Sequence, residues 1–168
     1  MPKQLPETTN FLKQAERNVT LEGTMPLVKL ERLSEILCGN EGELFAKLHF
    51  TSDTGYLGLH GRVEASLELD CQRCMQPMEH KVSGQINFGL MTSEKYEDKL
   101  PPDVDPYLLE GDEQSLVEIL EDELLLSIPI AAVHQKECSE FLLRQNEERR
   151  VEKEKSNPFA VLKDLKID

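Results

Sequence analysis

The chain has 168 residues, 39% of them apolar and 30% charged, which suits one globular domain with charged segments attached. Nineteen Lys and Arg stand against 32 Asp and Glu, a net charge of −13, so the surface as a whole cannot bind a polyanion and any nucleic acid must meet a local patch. No apolar run approaches the roughly 20 residues that cross a bilayer, and the first ten residues lack the basic-then-apolar order of a signal peptide, so the expectation is a cytoplasmic protein without membrane contact.

In chain order, residues 1–18 read as a polar N-terminal segment. Val19, Leu21, Gly23 and Met25 alternate with polar neighbours and predict a strand closed by Pro26. Leu27, Leu30, Leu33, Ile36 and Leu37 then recur at helical spacing before Gly39 and Asn40, with Cys38 reading as core at the end of the stripe. From Glu43 the period returns to two, with Leu44, Ala46, Leu48 and Phe50 on one face and Lys47 and His49 on the other. A turn over 51–55 leads to a second alternating run through Leu59, Gly61, Val63, Ala65, Leu67 and Leu69, and the two runs form a hairpin. Val82, Gly84, Ile86, Phe88 and Leu90 alternate again, so Cys71 and Cys74 sit on the connection between two antiparallel strands.

Residues 94–126 carry twelve acids against Lys95 and Lys99, a local net of −10. Pro101, Pro102 and Pro106 exclude a helix or central strand from the first part, which reads as an exposed acidic loop over 94–114. Leu116, Ile119, Leu120 and Leu124 then predict a helix capped by Ser115, with Glu118, Glu121 and Asp122 on its polar face. Ile128-Pro129 ends it. The expected architecture is α+β over 19–140: an antiparallel sheet of about four or five strands covered by helices near 27–37 and 115–126. An extended, charge-dense tail over 141–168 follows, with a short terminal helix at its end.

The strongest chemical signal is Cys71-x-x-Cys74, since two thiolates three positions apart on a turn can grip one soft cation. His134 and Cys138 are the candidates for the other half of a Cys3His zinc site. Such zinc would be structural, because four protein ligands leave no open position for water. The pair also admits a redox dithiol or plain buried packing. No G-x-S-x-G elbow, phosphate-binding glycine loop or His-Glu-x-x-His pair is present, so neither a catalytic site nor a small-molecule substrate is expected.

With a turn centred on Asp53 and Thr54, Lys47 falls opposite His60, with His49 and Arg62 beside them and Arg73 further along. This outward face is the candidate RNA contact. The ordinary alternative is a solvated sheet face, given Glu64, Glu68 and Asp70 nearby. In the tail, Asn157 and Pro158 start an apolar turn through Phe159, Leu162 and Leu165, a segment for docking on this domain or in a partner's groove. An acidic loop with such a tether suits a basic protein partner.

Three blocks occur in order: Leu69-Asp70-Cys71-Gln72-Arg73-Cys74, the helix from Val117 to Glu123 leading into Ile128-Pro129, and Asn157-Pro158-Phe159-Ala160-Val161-Leu162. Together they resemble the YceD family, the large ribosomal RNA subunit accumulation proteins. The resemblance implies a non-enzymatic ribosome-biogenesis factor needed for synthesis, processing or stability of large-subunit (23S) ribosomal RNA. The implied partners are the large-subunit precursor particle and its RNA, a basic ribosomal protein or a processing nuclease. Composition and spacing alone point only to a zinc-stapled interaction domain. An adaptor unrelated to ribosomes and a thiol oxidoreductase are the alternatives they leave.

Overall fold

The computed structural model describes residues 3–52, 55–139 and 143–144. In chain order its elements are β1 (Thr8–Thr9), α1 (Phe11–Glu16), β2 (Thr20–Pro26), α2 (Glu31–Ser34), β3 (Glu43–Thr51), β4 (Gly58–Asp70), β5 (Pro77–Met91), β6 (Asp105–Leu108), β7 (Gln114–Ser115) and α3 (Leu116–Ser127). Five strands form one sheet in the order β2-β3-β4-β5-β6, and β1 pairs with β7 in a separate short ribbon.

The period-two pattern explains which face is buried. Leu44, Ala46, Leu48 and Phe50 of β3, with Leu59, Val63, Leu67 and Leu69 of β4, point to one side and are at most 5% exposed. Helix α3 covers this side with Leu116, Ile119, Leu120 and Leu124, and the Ser115 hydroxyl caps it by accepting from the Glu118 N–H at 3.2 Å. Close approach depends on Gly84, where a Cβ would lie 3.0 Å from the Glu123 carbonyl oxygen and 3.1 Å from its Cβ. A larger residue would lift the helix off β5. Helix α1 adds Phe11, whose ring meets that of Phe50 edge-on at 5.1 Å between centroids.

The structure departs from the sequence expectations in five places. The sheet is mixed, because β6 lies parallel to β5 with Phe88 opposite Asp105 and Leu90 opposite Tyr107. Pro106 bars a central strand but not this edge position, where the missing N–H is not needed by the ladder. The helix expected near 27–37 is a 3-10 turn, Leu27–Lys29, then the single turn α2. Leu30 separates them with φ −96° and ψ 88°, outside the helical region. Ile36 is left 49% exposed, and Cys38 lies on the surface. Glu121, placed on the polar face of α3, is 4% exposed and accepts from Arg32 Nε at 2.8 Å and the Leu33 N–H at 3.0 Å, pinning α2 to α3. Finally, the hairpin register differs by two residues: Lys47 pairs with Arg62 and His49 with His60. The outward face is preserved by an even shift.

No described helix is long and apolar enough to cross a membrane. The terminal helix and the docking residues Asn157, Pro158, Phe159, Leu162 and Leu165 lie outside the described residues.

Candidate metal centre and outward sheet face

β4 and β5 stay in register to the pair Asp70 and Pro77, which makes residues 71–76 a hairpin loop with both cysteines of the C-x2-C pair on it. The Cys71 N–H donates to the Gln76 carbonyl at 3.0 Å, and the Met75 N–H donates to the Cys71 carbonyl at 2.8 Å. Met75 takes φ +57°, a left-handed conformation that costs a side-chain-bearing residue energy.

Pro129 prevents continuation of α3, and the chain after Ile128 folds back over this loop. Two devices hold it there. The Gln72 N–H donates to the Ala132 carbonyl at 2.8 Å. The Arg73 guanidinium donates to the carbonyls of His134 at 2.7 Å and Lys136 at 2.9 Å, and to the Glu137 carboxylate at 3.1 Å. Arg73 thus clasps one segment onto the other, and the planar fork of an arginine is what lets one side chain reach three acceptors.

The clasp brings all four sequence-predicted ligands together. One ligand atom each from Cys71, Cys74, His134 and Cys138 lies within 4.8 Å of the others. The Cys71 and Cys138 sulfurs are 3.7 Å apart, and the Cys74 sulfur is 3.5 Å from His134 Nδ1. In a tetrahedron with metal–sulfur bonds of about 2.3 Å and metal–nitrogen bonds of about 2.05 Å, these edges are about 3.8 Å and about 3.6 Å. The donor set, with three soft sulfurs and one imidazole nitrogen, fits zinc in its chemistry, and these two edges fit it in size.

Of the sulfurs, Cys71 is the one held toward the thiolate form that a metal binds. Burial pushes the Cys71 thiol up, but backbone N–H groups of His134, Arg73 and Cys74 aimed at the sulfur outweigh it and draw it down to about 5. The Cys138 thiol is raised, first by burial and then by the neighbouring sulfurs of Cys74 and Cys71, with Arg73 opposing. Contact with the Cys138 sulfur in turn raises Arg73. All four cysteines of the chain are free thiols.

The outward face of the sheet holds the other candidate residues. Lys47, His49, His60 and Arg62 line a shallow concavity of about 410 Å³ together with Gln85. Each has a local partner: Lys47 pairs with Glu22 at 2.9 Å, Arg62 with Glu64 at 3.3 Å, His49 with the Thr20 hydroxyl at 3.0 Å, and His60 with Asn87 at 2.6 Å. Arg73 is not on this face, since its donors are committed to the 134–137 segment at the far end of β4. Gln85 and Asn87 join the face from β5, a position the alternation over 82–90 already implied.

Similarity to known proteins extends over both regions. The family model described as "Large ribosomal RNA subunit accumulation protein YceD" matches residues 59–166. A Haemophilus influenzae protein named large ribosomal RNA subunit accumulation protein YceD is 30% identical over 168 aligned residues, covering 97% of this chain and 97% of its own length. No solved structure matches.

Proposed function

We propose that this chain, which belongs to the YceD family of large ribosomal RNA subunit accumulation proteins, is a non-enzymatic binding factor for the synthesis, processing or stability of 23S ribosomal RNA. The carrying observation is the near full-length match, which includes the relative's whole domain and not a fragment of it. The reading places the protein in the cytoplasm on the large-subunit precursor particle. There it contacts RNA, a basic ribosomal protein or a processing nuclease.

Cys71, Cys74, His134 and Cys138 would hold a structural zinc ion, whose contribution is to staple the hairpin loop to the segment after α3. With four protein ligands such an ion would activate no water. RNA would meet the outward face through Lys47, His49, His60 and Arg62, with Gln85 offering an amide alongside and Asn87 holding His60 in place. The ion pairs of Lys47 and Arg62 are half exposed and individually weak, so phosphates can displace Glu22 and Glu64. The terminal segment around Asn157, Pro158, Phe159 and Leu162 would dock on a protein of the particle.

One observation favours a thiol oxidoreductase, namely the lowered Cys71 thiol beside Cys74. Cys71 is fully buried, however, and an attacking thiolate needs an approach path.

The test is replacement of the protein in cells by Lys47→Glu/Arg62→Glu, with gradient sedimentation and quantitation of large-subunit RNA. The reading expects co-sedimentation of the wild type with large-subunit precursors and loss of RNA accumulation in the variant. A protein that never travels with those precursors contradicts it.

A further inference from the structure

A second concavity lies at the opposite end of the sheet from the cysteine loop, where its wall residue Tyr56 meets His60 of the outward face edge-on at 6.2 Å. It is an apolar groove of about 250 Å³, floored by Leu90 and Met91 at the end of β5 and walled by Tyr56, Leu57, Tyr96 and Leu100. The floor is about 5% exposed, whereas Tyr96 is 48% exposed, so one wall is open to solvent. Lys99 lays its ammonium 4.8 Å from the Tyr96 ring centroid, a cation–π contact on one face of that ring. Leu108 of β6 pairs with Met91 and is 40% exposed.

The one charged residue in the lining is Lys99, but the segment that carries it and Tyr96 is acidic. Residues 94–113 hold eight acids, Glu94, Glu97, Asp98, Asp103, Asp105, Glu110, Asp112 and Glu113, against Lys95 and Lys99, a net of −6. Among the described residues, none of the eight takes part in an ion pair. Phosphates are repelled from such a surface, and a cationic chain is steered to it.

We propose that this groove docks a cationic polypeptide segment that inserts one large apolar or aromatic side chain between Tyr56, Tyr96 and Leu100, while its flanking Lys and Arg residues meet the acids of 94–113. The anchor supplies burial and the acids supply steering and register, the usual division between the centre and rim of an interface. The proposal deepens the reading above by naming the chemistry of the protein partner, and it requires neither zinc nor RNA contact.

The experiment uses the full chain and a fluorescein-labelled peptide of Arg and Lys with one central photoreactive benzoylphenylalanine, compared with a twin carrying Ala at the centre. Anisotropy titrations should give at least about tenfold tighter binding of the aromatic peptide, the gain for burying one such side chain. Tyr96→Ala should abolish that difference, and Glu94→Lys/Glu97→Lys/Asp98→Lys should weaken both peptides. All four positions are exposed, so folding is not at stake. Illumination should attach the peptide at Met91, Tyr96 or Leu100. Lys47→Glu/Arg62→Glu should leave peptide binding unchanged, which separates failure here from failure of the RNA reading. Equal affinity for the two peptides, adducts scattered over the surface, or displacement of the peptide from this groove by a single-stranded RNA oligonucleotide would each overturn the proposal.

Discussion

Replacing Arg73 by Ala should weaken zinc binding, although Arg73 is not a ligand. The guanidinium supplies three hydrogen bonds to the 134–137 segment and lies against the Cys138 sulfur. A zinc ion with three thiolates carries a net charge of −1, which the arginine offsets. Its removal frees the carbonyls of His134 and Lys136 and leaves two of the four ligands on a segment that must be ordered at the moment of binding. Groups that orient metal ligands are typically worth about 10–100-fold in affinity, and a loss in that range is expected here. The side chain is only 23% exposed, so solvent screening removes little of this. Arg73→Lys keeps the charge but loses the fork and should fall between wild type and Ala. Competition against a chromophoric zinc chelator reads the affinity, and melting with and without added zinc reads the coupling to folding. Zinc affinity within about twofold of wild type, accompanied by loss of RNA binding, would refute the clasp and restore Arg73 as an RNA contact.

Other expectations follow from single contacts. Glu121→Ala should cost about 3 kcal/mol in urea unfolding, because it orphans the buried Leu33 N–H and breaks a partly buried pair, whereas Glu121→Gln keeps an acceptor and should cost about 1 kcal/mol; equal losses would contradict the pinning role. Glu123 is an acid whose folded-state value is raised above 4.5, so the folded protein holds the proton more tightly and its ionisation destabilises the fold as pH rises beyond that value. Glu123→Gln should therefore raise the melting temperature at pH 7 and lose this advantage near pH 4; a variant less stable than wild type at pH 7 would reverse the sign. Met75→Gly should stabilise the protein by about 0.5–1 kcal/mol, since glycine accepts φ +57° without steric cost and the exposed methionine side chain contributes little packing. A drop in melting temperature would show that Met75 packs on something.

The sequence made the long strands legible because half-buried strands write their burial into alternate residues, as at 44–50 and 59–69. Ser115 announced the start of α3 for a similarly local reason: its hydroxyl caps the first turn. What depended on distant partners was hidden. Glu121 looks like any polar-face glutamate until Arg32 and the Leu33 N–H arrive from α2. The parallel edge strand β6 is written in four residues containing a proline, too short to show a period. Helix α1 shows only Phe11 and Ala15 as its buried pair within a polar stretch. The four metal-ligating candidates were legible in type and spacing, but their convergence rests on the fold-back after Pro129 and on Arg73, which no spacing rule singles out. The two-residue register difference arose because the hairpin loop is centred past Asp53 and Thr54, and only the face, not the pairing, could be read from alternation.

The central claim, that this is a binding factor meeting large-subunit RNA on its outward sheet face, is tested most directly by ultraviolet crosslinking of the tagged protein in growing cells, with sequencing of attached RNA and mapping of the modified peptides. The account predicts large-subunit precursor RNA attached within 47–62 or 85–87. Crosslinks confined to proteins, with none to RNA at that face, would contradict it.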